Sequence, residues 1–173
     1  MFLLLVAASC WNMSRCTKIH AIFFYSQAGT FLKSQLIFAG KTSRCLPKPS
    51  LLNEAERASV AKANLHLSHT HNHWANDAST AEWFDAVLLP YVEAERRKEN
   101  EALVSAGNPP FHPDQQMFLL LVDLFSCWTQ EYFKFKCSEN FILIVYVPPE
   151  QTGKLQPLVR TLILSFSFGF SLV

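Results

Sequence analysis

Carboxylates are missing from both ends of this 173-residue chain: none precedes Glu54 and none follows Glu150. Chemistry that needs an acid from either end is therefore not supplied there. No GxSxG, P-loop or GxGxxG pattern occurs, which removes the nucleophile elbow, the phosphate-cradling loop and the dinucleotide fingerprint. The five cysteines (Cys10, Cys16, Cys45, Cys127 and Cys137) are odd in number, widely spaced and contain no CxxC. Free thiols in a reducing compartment fit that pattern better than a disulfide framework. No apolar run reaches the roughly 20 residues that span a bilayer. The net charge of +1 gives no global electrostatic reason to expect nucleic acid or a membrane surface. What is abundant is apolar bulk: half the residues are hydrophobic and 15 are Phe. The length suits one domain with a sizeable core.

The order of elements is mixed. Residues 20–27 (HAIFFYSQ) and 31–39 (FLKSQLIFA) predict two strands, joined by Ala28, Gly29 and Thr30 as a hairpin turn. Residues 40–49 form a basic, proline-marked loop with Lys41, Arg44 and Lys48. Asn53 followed by Glu56 is a capping-box start, so a helix is expected over 53–63. Residues 65–76 read as a polar, histidine-rich connection. Asp77 or Ser79 then caps a longer helix, whose Trp83, Phe84, Val87, Leu88, Tyr91 and Val92 share one face. Pro90 is expected to kink it. After a loop over 105–114, residues 117–123 (MFLLLVD) predict a strand, 129–138 a helix and 141–147 a second strand. The unbroken Ile/Leu/Val run of that last strand predicts burial on both faces. Strand, helix and strand within about 30 residues make a right-handed crossover unit.

MFLLLVD is an apolar run ending in one carboxylate, Asp123. Residues 140–158 (NFILIVYVPPEQTGKLQPL) are a second such run that breaks at Pro148 and Pro149 into a polar loop. A carboxylate at the end of a buried strand, beside the end of another, is how nuclease folds place a catalytic metal. Five segments then occur in order: SQLIFAGKTSRCLP (34–47), HWAN (73–76), LPYV (89–92), LLLVD (119–123) and VYVPPEQTGKLQPL (145–158). Together they resemble the DDE superfamily endonuclease domain of pogo- and Tigger-like transposases. The resemblance covers residues 18–158, leaving residues 1–17 and 159–173 as apolar ends outside it.

The resemblance implies an α/β, RNase H-like mixed sheet flanked by helices, which binds DNA and cuts it with two Mg²⁺ ions held by three acids. Asp123 matches the second acid. The first belongs on a strand before the hairpin, where this chain has no Asp or Glu. The third follows QPL, where this chain has Val159. The implied fold is therefore incomplete, its first core strand missing or replaced by residues 1–10. The implied function is DNA binding without cleavage by a degenerate, nuclear copy. Lys41, Arg44, Lys154 and Gln156 are the candidate phosphate contacts; solvated loop charges are the alternative. Without the resemblance, Asp123 reads as an ordinary strand-end residue capping the next helix. No small-molecule substrate and no membrane is implied. Pairing with an intact transposase or with itself is a further expectation.

His66, His69, His71 and His73 lie within eight positions. Imidazole suits Zn²⁺ and Cu²⁺, but a polar loop accounts for the same residues. Residues 1–9 (MFLLLVAAS) have the small and apolar character of a secretory signal without its leading positive charge. Residues 162–173 fit a buried strand, a frayed tail or a stretch never selected to fold.

Overall fold

Ile19, Ala21, Ile22, Phe24 and Tyr25 are buried on both faces of one strand, and such a strand belongs inside a sheet. The structure is a computed structural model that describes residues 2–14, 17–26, 31–51, 53–62 and 64–148. The hairpin turn at Ala28–Thr30, Lys154, Gln156, Val159 and the apolar tail lie outside the described residues. Among the described residues six strands form one sheet: β1 (Phe2–Ser14), β2 (Thr17–Ser26), β3 (Ser34–Ala39), β4 (Leu65–Thr70), β5 (Phe118–Asp123) and β6 (Ile142–Val147), in the spatial order β4-β3-β2-β1-β5-β6. Only β2 runs against the others. An antiparallel unit of three strands, continued by parallel strands through helical crossovers, is the RNase H-like arrangement.

The first strand of that arrangement is filled. β1 pairs antiparallel with β2, from Leu4 opposite Ser26 to Ser14 opposite Thr17. On its other side it pairs parallel with β5, from Phe2 opposite Phe118 to Leu5 opposite Leu121. Neither β2 nor β5 is therefore an open edge, and among the described residues the hazard that unpaired strand edges create is confined to β4 and β6. Of the two expectations for this strand, missing or replaced, the second holds: a segment outside the resemblance occupies its place.

The helices are α1 (Glu54–Lys62), α2 (Asp77–Trp83), α3 (Leu89–Ser105) and α4 (Glu131–Glu139). The expected capping box opens α1: Glu56 N–H donates to Asn53 Oδ1, and Asn53 N–H to Glu56 Oε2, both at 2.8 Å. The cap of α2 is Asn76, in place of the expected Asp77 or Ser79. Ser79 N–H donates to Asn76 Oδ1 at 2.9 Å, and Asn76 N–H to Ser79 Oγ at 3.0 Å. Between α2 and α3 the helix widens into a π turn over Phe84–Leu88, with Leu89 N–H donating to the Phe84 carbonyl. Pro90 follows at once and brings no N–H of its own. The expected disturbance thus takes the form of a widened turn in a helix that carries on to Ser105. A Schellman-type close then forms at Gly107 (φ 79°), with Asn108 N–H donating to the Leu103 carbonyl at 2.9 Å.

The predicted helix face is the core. Trp83, Phe84, Val87, Leu88 and Val92 are buried against Ile22, Phe24, Phe118, Leu120 and Val122 of the sheet, with Phe133 and Cys137 of α4. Trp83 is fully enclosed. It stacks on Phe24 (centroids 4.0 Å, planes 19° apart) and meets Trp128 edge-on at 5.6 Å. Arg96 ties α3 to the far edge of the sheet, donating through Nη2 to the Gln116 carbonyl at 3.2 Å and the Asn140 carbonyl at 2.7 Å.

Two expectations are corrected. Residues 65–70 are not a connection but strand β4, parallel to β3 from Ser34 opposite Leu65 to Ala39 opposite Thr70. As a strand it puts His66 and His69 on opposite faces, which splits the histidine cluster. Strand β6 is not buried on both faces. It is the sheet edge, and Leu143 and Val145 are exposed at 52% and 38%. No helix among the described residues is long and apolar enough to cross a membrane.

Candidate functional site

Since five of six strands run the same way, their carboxyl ends share one edge of the sheet. In open α/β sheets that is where ligands gather. Three described loops start there: 40–53 after β3, 71–76 after β4 and 124–130 after β5. The end of β1 and the start of β2 lie at the same edge. Phe125, two residues beyond Asp123, brings its ring to 6.3 Å from that of Trp74 in the HWAN motif, and the loop holding Lys41 and Arg44 is tied to the end of β4.

Asp123 ends β5 opposite Val147 of β6. The chain folds back over it: Phe125 N–H donates to the Asp123 carbonyl at 2.9 Å, and a short helical turn over Ser126–Trp128 follows. The Trp128 side chain favours the charged form of the Asp123 carboxylate. Tyr146 Oη donates to the Trp128 carbonyl at 2.8 Å, which fixes this turn to β6. Among the described residues Asp123 Oδ1 is buried without a hydrogen-bond partner. Burial raises the Asp123 pKa; its own backbone amide and Trp128 oppose the rise.

The described residues do not fit a pair of divalent ions. Continuing the register of Leu5 with Leu121 brings Ala7 level with Asp123, and Val147 stands on the other side. Both flanking strands thus offer apolar residues where a metal pair needs oxygen ligands. Among the described residues no group of three His, Cys, Asp or Glu side chains is placed to hold a metal. Nor is there an activated thiol in this corner. Burial pushes Cys127 up to about 11 and Cys137 to about 12, so both are neutral at pH 7 and poor nucleophiles.

A raised carboxylate pKa has a stability consequence of definite sign. The folded state binds the Asp123 proton more tightly than the unfolded state, so charged Asp123 costs stability at neutral pH and the cost fades as pH falls through its raised pKa. Asp123→Asn removes the charge and keeps the shape of the side chain. It is expected to stabilise the protein by about 1 kcal/mol at pH 7, with a smaller gain at pH 4. Urea unfolding at both pH values checks this; a loss of stability at pH 7 would contradict the burial argument.

Lys41 and Arg44 are exposed on the loop after β3. Gly40 starts that loop because no side chain fits: a Cβ there would meet Cys45 Cβ and Sγ at 2.5 Å. Gly40 N–H donates to the Thr70 carbonyl at 2.8 Å, which holds the basic loop beside the end of β4.

In the sequence the next corner is only part of the HWAN motif; its geometry makes it a site. His73 has φ 65°, a left-handed backbone uncommon outside glycine. Around it, Thr70 Oγ1 donates to the Trp74 carbonyl at 2.9 Å and Trp74 N–H to Asn72 Oδ1 at 3.3 Å. The Trp74 ring meets His20 edge-on at 5.0 Å, His73 at 5.1 Å and Phe125 at 6.3 Å. His20 is 4% exposed and Trp74 42%. Burial first, then the nearby His73, lowers the His20 pKa to about 4; burial and Lys18 lower that of His73.

Charge is also segregated in a way the net value conceals. Six of the 15 basic side chains (Arg15, Lys18, Lys33, Lys41, Arg44 and Lys48) and none of the 14 acidic ones fall in residues 1–53. Lys18 stands one residue beyond the pair Ile19–Phe38, next to the start of the Gly40 loop. Splitting the charge count at Glu54 would have found this from sequence alone.

No curated protein and no solved structure matches the chain. A family model described as DDE superfamily endonuclease matches residues 22–167. That span takes in β3 through β6, the second half of β2, Asp123 and the basic loop. A match over so much of the chain, on a sheet of this order, settles the family: the chain belongs to the DDE superfamily endonucleases.

Proposed function

We propose that this is a transposase-derived domain of the pogo- and Tigger-like branch that binds DNA and no longer cuts it. The observation that carries the loss of chemistry is the isolation of Asp123. It stands between Val147 and the level of Ala7, in a chain with no acid before Glu54 or after Glu150. The family's reaction uses divalent metal, and one carboxylate is too few ligands for it. The retained DNA affinity rests on Lys41 and Arg44 at the carboxyl edge of the sheet, with Lys154 and Gln156 from the GKLQP segment. Phosphate contacts of this kind position a duplex without reading its sequence. The nucleus is the compartment this reading implies.

The test uses the whole chain with supercoiled plasmid and with labelled linear DNA, in Mg²⁺ and in Mn²⁺. Retention of DNA that weakens as salt rises, with no nicks, is the expected result. Metal-dependent nicking that disappears in Asp123→Ala would overturn the proposal.

A second reading is a regulatory remnant that pairs with an intact transposase or with itself. It is favoured by the β6 edge, where Leu143 and Val145 are exposed beside Met117 and an open strand. Co-purification with a transposase, in a chain without affinity for DNA, would support this reading over the first.

A further inference from the structure

We propose that Trp74 is a stacking platform for an unpaired DNA base, flanked by Lys18, Lys41 and Arg44 as phosphate contacts. The inference rests on the DNA-binding reading and adds to it a form of substrate, single-stranded or frayed DNA, and the residue that selects it.

An exposed tryptophan is common enough; one held rigidly at its base is less so. Trp74 is 42% exposed, yet three rings confine it: His20 at 5.0 Å, His73 at 5.1 Å and Phe125 at 6.3 Å. The left-handed backbone at His73 and the Thr70 and Asn72 side-chain bonds fix the turn that presents it. A preset aromatic face loses little conformational freedom when a base lies on it. His20, on the buried side, keeps Nδ1 without a hydrogen-bond partner among the described residues.

The surroundings fit a nucleic-acid strand better than an apolar partner. The Gly40 N–H bond to the Thr70 carbonyl sets the Lys41–Arg44 loop against the turn that carries Trp74, and Lys18 lies close enough to His73 to lower its pKa. Aromatic faces interleaved with basic side chains are the common design of single-strand binding surfaces. Asp123, two residues before Phe125, disfavours phosphate at that spot, but the face of a base carries no charge. A base inside a duplex cannot reach such a platform without leaving its stack. The geometry therefore favours DNA whose bases are already free.

The experiment measures fluorescence anisotropy of the full chain with a single-stranded oligonucleotide and with the duplex of the same sequence, at matched salt. A single-stranded version carries 2-aminopurine, whose emission is quenched by stacking. Expected are tighter binding to the single strand and quenching of 2-aminopurine. Trp74→Ala should weaken single-strand binding by about 5- to 100-fold, leaving duplex affinity within about 2-fold, and Trp74→Phe should restore most of the loss. Equal weakening on both DNA forms, a Trp74→Phe variant as weak as Trp74→Ala, or absence of quenching with the wild-type chain would each overturn the stacking role while leaving DNA binding intact. No binding of the wild-type chain to either form would sink the DNA-binding reading and this inference with it. Should Trp74→Ala fail to fold by circular dichroism, the wild-type quenching and the Trp74→Phe comparison decide.

Discussion

Reversing both charges of the loop after β3, Lys41→Glu with Arg44→Glu, should weaken binding to duplex DNA by about 10- to 100-fold and lower its log–log salt slope by about 1.8, at roughly 0.9 for each phosphate no longer neutralised. The expectation follows from where the loop is anchored. Its backbone is tied to β4 through Gly40 N–H and the Thr70 carbonyl, and it turns tightly over Ser43–Cys45. Both side chains project from it exposed, so replacing them removes charge without opening the core. Binding titrations over a range of KCl concentrations measure affinity and slope together. A variant with the wild-type slope would show that this loop faces away from the DNA, whatever its affinity. A fall in affinity with no change in slope would point to damage elsewhere in the surface.

Trp83→Ala should cost about 3–5 kcal/mol, against a total stability of roughly 5–15 kcal/mol for a domain. Trp83 is the largest side chain with no solvent exposure. It joins the helix layer to β2 through Phe24 and to the turn after β5 through Trp128. Truncation leaves a cavity that the surrounding rings cannot all collapse into. Trp128 lies in the short turn that follows Asp123, so the damage reaches the carboxyl end of β5. Urea unfolding should give a lower midpoint with an unchanged slope. A loss below about 1 kcal/mol would mean that the core is not centred on this residue.

Local patterns in the sequence are enough for some elements and not for others. The capping box of Asn53 and Glu56 and the apolar face from Trp83 to Val92 are set by spacings of three and four residues. They survive because neighbours on a helix are neighbours in sequence. Strand β4 escapes such a reading because LHLSHT has only Thr70 among the Val, Ile, Thr, Tyr, Phe and Trp that mark strands. It is a strand because β3 offers it a parallel partner, and that is a property of distant residues. Strand β6 fails the other way. Its run of Ile, Leu and Val has the composition of a doubly covered strand, but its place at the edge of the sheet leaves Leu143 and Val145 uncovered. Position in a sheet is not written in any one strand.

The site divides along the same line. Asp123 at a strand end is legible in the sequence, and so are Lys41 and Arg44 as exposed loop charges. The turn over Ser126–Trp128 is not, because it depends on the chain folding back over the strand end. Trp74 stands in a motif that gives no sign of a site. Its role emerges only once β4 brings residue 70 level with the end of β3 and His73 adopts its left-handed backbone.

The π turn before Pro90 also works as a phase shifter along its helix. An α-helix advances about 100° per residue, so one residue more or fewer in that turn swings everything beyond it by more than a quarter of a circle. With the turn as it stands, Trp83 and Val92 face the same core, and Arg96, a further turn on, points at the carbonyls of Gln116 and Asn140. The spacing between Trp83 and Arg96 is thus a fixed length in the molecule. Substitutions within it change packing by degrees, whereas an insertion or deletion there would unlatch the far edge of the sheet from the helix that spans it.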